Sequence, residues 1–332
     1  MITPEEFRKH LHGYNVLGCA VRSREVLGFV LQEDYTMWPH WDGREPPEDD
    51  SLKKRLVPFI RHKPAGQQWS AASLTGFNGI LIGLSPTPQP QLVAAGVAGG
   101  AYVTGSGTSH MEKIPGFHED GPKRGAVVKL KTIGRHLYAC GNRRTVGRRD
   151  GQEDWFSHTH AIPEPAESEV EGFDDIDGFD EDDLYAVGGA GDVWHFDGAR
   201  WHRCAFPTDL LLASVCCAGD GHVYVSGLHG HVFKGRGDRW RQIHAGQLTL
   251  PFRDMAYHDG KVWCTSDYGV WTIEDDVLRP ADIPSSVVIC AGNLAARDGI
   301  LLLAGHGGAA LLEEGAWKVI FHSGEMPAAH RA

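Results

Sequence analysis

Five segments of this chain can be laid one under another. They read LYACGNRRTVGRRDGQEDW at 137–155, LYAVGGAGDVWHFDGARW at 184–201, VYVSGLHGHVFKGRGDRW at 223–240, VWCTSDYGVWTIEDDVLR at 262–279 and ILLLAGHGGAALLEEGAW at 300–317. The closing tryptophans Trp155, Trp201, Trp240 and Trp317 are spaced by 46, 39 and 77 residues, and the last spacing is two steps with Arg279 where a tryptophan would stand. A period near 40 in a strand-rich chain is that of a β-propeller blade.

Each repeat supports this from its own chemistry. LYAVG has no helical period and reads as a strand, GGAG turns the chain, and DVWHF is the next strand. FDGAR predicts a tight hairpin in which Asp-Gly takes the positive φ angles of a two-residue turn. RWHRC begins an outer strand. One more apolar run precedes each unit: FDDIDGF at 173–179, LLASVCCAG at 211–219, FRDMAYH at 252–258 and VVICAGNLAAR at 287–297. That gives four strands per blade, with the apolar pre-strand innermost.

The first third is less regular. GAVVKLKTIGRHLYACG completes the 137 unit, while GILIGLS, PQLVAAGV and GAYVTGSGTSHMEKI read as three strands of a blade with a long insertion. NVLGCAVRSREVLGFVLQEDYTMW, ending at Trp38, reads as a further blade, and WDGREPPEDDSLKKR as a polar loop between the first two blades. TPEEFRKHLHG predicts a short helix capped by Thr3, with Glu6 completing a capping box. The expectation is an all-β, seven-bladed propeller of four-stranded blades, one domain over 1–332, with irregular blades over 13–125 and regular ones over 126–325.

Composition narrows the function. The net charge of −11 argues against a nucleic-acid binder and against docking on an anionic membrane. The start MITPEEFRKHLHGYN lacks an apolar core and cleavage site, so no signal peptide is expected. The longest apolar run, LLLASVCCA at 210–218, is too short to span a bilayer. Seven cysteines, an odd count without CxxC, predict reduced, buried thiols and a cytoplasmic chain.

The run IDGFDEDDLYAVGGAGDVWHFDGARW resembles the repeats of bacterial propellers of the WD-repeat/YVTN/BNR-like class, best over 126–321. That pattern consists of core and turn residues and is specific for fold rather than function. Propellers of this kind and size look like immunity proteins encoded beside antibacterial toxins, including type VI secretion effectors. The resemblance implies a protein binder without catalysis or cofactor, monomeric on its own, whose partner is a cognate toxin, with a basic nuclease domain as one form.

The candidate residues follow from blade geometry. Loops joining strands two and three share a face with the inter-blade links. By the alignment this face gathers Arg143, Arg144, the 188–191 turn, His229, Asp267, Tyr268 and His306, with links at 157–171, Thr208 with Asp209, 245–251 and 281–286. Residues 164–183 hold eleven acids and no base, which matches the whole charge imbalance. Glu164, Glu167, Glu169 and Glu171 of this run could steer a basic partner, or the run could be a solvated loop. Asp175, Asp177 and Asp180 offer a calcium loop, although without the glycine and final glutamate of an EF-hand. His158 with His160, and His229 with His231, could each grip a metal if they lie on strands, against the commoner structural role. The alternatives to immunity are a lyase or hydrolase using channel histidines such as His229 and His306, and a general scaffold. No catalytic residue, metal ligand or nucleic-acid partner is assigned.

Overall fold

A computed structural model describes residues 2–43, 45–116, 121–165, 172–246 and 248–324. The strands form seven four-stranded antiparallel sheets, each contiguous in sequence. Blade 1 comprises Tyr14–Ser23, Val26–Glu33, Lys54–Ile60 and Ala72–Leu74. Blade 2 comprises Leu81–Ser85, Gln91–Ala95, Gly100–Gly105 and Thr108–Lys113. The inner strands of blades 3 to 7 are Val127–Ile133, Asp175–Asp180, Leu212–Cys217, Asp254–His258 and Asn293–Arg297. Each inner strand packs against that of the next blade, and the seventh against the first, so the ring closes as a single seven-bladed propeller.

The core is divided among the seven joints. Each of seven buried clusters draws on two adjacent blades. The second strand of blade 3 shows why its sequence is apolar throughout. Leu137 and Ala139 enter the joint with blade 2, while Tyr138 and Cys140 enter the joint with blade 4. Both faces of the strand are covered, so alternation disappears.

The repeated tryptophans act at the same joints. Trp155 Nε1 donates to Glu112 of blade 2 at 3.3 Å, and Trp201 Nε1 to His158 at the end of blade 3 at 3.4 Å. Trp240 meets Tyr185 of blade 4, and Trp317 meets Trp263 of blade 6, both edge to face. Each outer-strand tryptophan therefore leans back on the preceding blade. The repeated glycine has a different cause. A Cβ at Gly141 or Gly188, each ending a second strand, would strike a carbonyl of the preceding link, Ala126 O or Gly172 O. Close backbone approach, rather than a positive φ, fixes glycine there.

Several expectations need correction. The polar loop lies inside blade 1, between its second and third strands, and not between blades. Trp69, stacked on Phe59 at 4.4 Å and edge-on to Phe321 of blade 7 at 5.8 Å, takes the joint role expected of Trp38. The third run of blade 2 is two strands, because Ser106 and Gly107 both take left-handed angles and turn the chain between them. In the FDGAR hairpin of blade 4 only Gly198 has positive φ. The loop is longer than two residues, and the Asp197 carboxylate accepts the Ala199 and Arg200 N–H groups. Residues 285–288 form a helical turn, so the last inner strand starts at Asn293.

The first and last blades share no strand. Their joint is filled by helix α1 (Pro4–His10), capped by Thr3 with the Glu6 box as expected, which delivers Phe7 together with Ile2 and Leu11 to the core. It is also clamped by Glu313 of blade 7, which accepts from Arg24 at 2.6 Å and Arg61 at 2.8 Å, both of blade 1, and from Lys318 at 3.3 Å. These bonds hold the Glu313 carboxyl down at about 2, against its ordinary 4.5. A depressed carboxylate stabilises the fold above its unfolded pKa and loses that contribution as pH falls through the folded one. Glu313→Gln should therefore be less stable than wild type at pH 7, and the gap should shrink between pH 4.5 and 2 in thermal melts. Gly188→Ala, which forces the link away from its strand, should cost about 1–3 kcal/mol in denaturant titration.

Candidate partner-binding face

The shared face is defined by backbone bonds. Asn142 N–H donates to Ala126 O, Gly191 N–H to Leu210 O and Leu248 N–H to His229 O, each joining a loop between second and third strands to an inter-blade link. Arg143, Arg144, Glu164, Asp209, His229, Asp267, Tyr268 and His306 all lie on these loops and links. Glu167, Glu169 and Glu171 lie outside the described residues.

The two arginines, adjacent and both left-handed, have opposite fates. Arg144 is buried. Its Nε and Nη2 grip the Asp192 carboxylate at 2.7 and 3.1 Å, and Nη1 donates to Pro163 O at 3.0 Å. Asp192 also accepts from Trp194 Nε1 at 2.9 Å. Arg144 thus ties the following link to blade 4 and is buried rather than standing on the face as the alignment implied. Arg143 is exposed and pairs with Glu164, Nε to Oε1 at 2.8 Å. Asp267 pairs with Arg253 at 3.0 Å, which fixes the loop bearing Tyr268 to the link from blade 5. Tyr268 is 79% exposed. His229, with φ 58°, Asp209 and His306 are exposed as well.

The sequence reading missed the apolar members of this face. Ile289 is 56% exposed, and Leu211 and Leu250 are also exposed; all three lie on links around blades 5 to 7. Met37, at 53%, lies on the corresponding loop of blade 1. The remaining exposed large hydrophobics, Met111, Phe156 and Val277, are on outer strands. A signal was available: Leu250 and Ile289 fall in links that blade closure does not require to be apolar.

The histidine pairs do not form grips. His158 is buried against Trp201 and pushed down to about 4, chiefly by burial, while His160 is exposed on the turn that follows. His229 lies within the turn Leu228–Gly230 and His231 follows it, so the two do not alternate along a strand. The central acids are structural too. Asp175 accepts the N–H of Val215 at 3.0 Å, Asp177 that of Cys217 at 2.9 Å, and Asp180 that of Asp182 at 2.8 Å, so no calcium loop is formed.

The channel holds a cavity of about 320 Å³. Its lining carries Lys129, Lys131, Asp177 and Asp254, and no histidine among the described residues. His229 and His306 stand on the link face and do not line this cavity. Lys129 of blade 3 reaches across to Asp254 of blade 6 at 3.1 Å. Burial opposes both charges, but their attraction raises the lysine and lowers the aspartate.

The molecule is a seven-bladed β-propeller of the WD40-like kind. Solved structures of the same shape include the WD40 propeller domain of Doa1 (TM-score 0.56, 9% identity, 89% of this chain and 91% of that one). YCF48 bound to D1 peptide has TM-score 0.57 at 15% identity, covering 91% of this chain and 94% of that one. The RRP9 WD40 repeats have TM-score 0.58 at 11% identity, covering 89% and 88%. At such identities the likeness is one of fold. No family model matches the chain. Over 215 residues it is 34% identical to the immune protein Tsi7 of Pseudomonas aeruginosa, covering 64% of this chain and 70% of that protein. The chain belongs to the family of this immune protein. No helix among the described residues is long and apolar enough to cross a membrane.

The contrast between the arginines is measurable. Arg144→Ala leaves Asp192 short of its buried partner and should cost about 3 kcal/mol in denaturant unfolding. Arg143→Ala, which breaks an exposed pair, should stay within about 0.5 kcal/mol of wild type.

Proposed function

We propose that this chain is an immunity protein that binds a cognate antibacterial toxin through its link face and neutralises it without chemistry of its own. The observation that carries this is membership of the Tsi7 family, shown by identity over most of both chains. The face supports it. Exposed Tyr268, Ile289, Leu250 and Leu211 follow one another around blades 5 to 7, and a rigid ring holds the loops that bear them. Exposed apolar side chains gathered on one side mark an interaction surface. Arg143, Glu164, Asp209, His229, Asp267 and His306 supply its polar surround. The chain acts in the cytoplasm as a monomer, and its acidic balance favours a basic toxin domain, such as a nuclease.

The test is co-expression with a candidate toxin whose gene adjoins that of this chain. Restored growth and a one-to-one complex on size exclusion are expected; cell death despite soluble chain would overturn the reading. Tyr268→Ala should weaken that complex about 10–100-fold by calorimetry. Because the ring is exposed, the melting temperature should not change.

A further inference from the structure

We propose that the excursion 34–53 of blade 1 is the principal docking element of the link face, and that it takes a cationic surface of the toxin bearing an apolar pocket. This rests on the toxin-binding reading above.

The excursion is anomalous among its equivalents. The same connection takes 142–144 in blade 3, 189–191 in blade 4 and 267–268 in blade 6. It is anchored at both ends. Asp34 N–H donates to Gly13 O at 2.9 Å, and the Asp34 carboxylate accepts from Thr36 N–H at 3.1 Å. Asp49 binds Lys54 Nζ at 3.0 Å and accepts the N–H of Gly79 in the next link. Between the anchors, Tyr35 meets Trp41 edge to face at 5.4 Å and Trp38 at 6.5 Å, and Trp38 stacks on His40 at 5.3 Å. None of these rings belongs to any of the seven inter-blade cores. Met37, in the same turn, is exposed. The Trp41 indole N–H is buried with no hydrogen-bond partner.

Blade closure therefore gives no reason for two tryptophans, a tyrosine and a methionine here. Half-buried aromatic side chains held against one another at the surface are what anchors a protein interface, because little conformational freedom remains to be lost. Charge selects the occupant. Glu45, Glu48 and Asp50, in the same excursion, are exposed. A second copy would set these acids against its own and add to the repulsion of two chains at −11 each. A cationic partner surface gains from the same acids, in approach rate and in register.

The test uses the toxin that the co-expression experiment identifies, purified as a catalytically inactive variant, with calorimetry and stopped-flow mixing. Trp38→Ala should weaken binding by about 30-fold or more, the loss of one hot spot. The triple variant E45K/E48K/D50K should slow association by about tenfold and remove most of its salt dependence. Both should melt with wild type, as the cores are untouched. Wild-type affinity in both variants, with the wild type itself binding, would overturn the proposal and leave the toxin-binding reading intact. A wild type that does not bind would overturn both. A concentration-dependent dimer of this chain, abolished by Trp38→Ala in sedimentation, would assign the excursion to self-association instead.

Discussion

Seven inner strands converge on one axis, and neighbouring inner strands do not form a ladder with one another. Everything else depends on how these strands are tied. Side chains supply part of the missing bonding. Aspartates 175, 177 and 254 each accept a backbone N–H from the next blade's inner strand, at Val215, Cys217 and Leu294. The Thr132 hydroxyl of blade 3 donates to the Leu84 carbonyl of blade 2 at 2.7 Å. Buried carboxylates are costly without such donors. Their placement makes the acids of the channel part of the frame.

That frame accounts for the division of labour on the outside. Tryptophans, glycines and buried pairs work between blades. The pair of Arg149 with Glu112 is fully buried, at 2.8 Å, and burial's upward pull on the glutamate is outweighed by the arginine, which holds it below its ordinary range. Loops on the link face are released from closure, so their side chains can vary in chemistry without altering the ring. Most of the exposed large apolar residues lie on those loops, and Tyr268 stands beside Asp267, which is paired with Arg253.

The period, the four strands per blade, the capped helix and the count of seven were legible because they rest on contacts repeated at every joint. Trp155 and Trp201 occupy equivalent places and so appear at equivalent spacing. What escaped the sequence was whatever occurs once. Trp38 falls near the expected spacing for a closing tryptophan, yet it lies in a unique excursion, and Trp69 fills the joint from an irregular position. Arg143 and Arg144 look alike in sequence. Only the third dimension puts Asp192 beside one and Glu164 beside the other. The acidic run suffered the same ambiguity: Asp175 and Asp177 are strand residues facing the axis, and composition does not separate them from solvated neighbours.

Because every blade is contiguous, covalent order and spatial order are separable in this ring. Six joints are crossed by a peptide link, and among the described residues the joint between blades 7 and 1 is crossed by none. It relies on helix α1, Trp69 with Phe321, and the Glu313 cluster. The ring is topologically a horseshoe that happens to meet itself. Moving the chain break to any other joint by circular permutation would preserve all seven cores, and would show how much of the ring's integrity is side-chain chemistry and how much is mere connectivity.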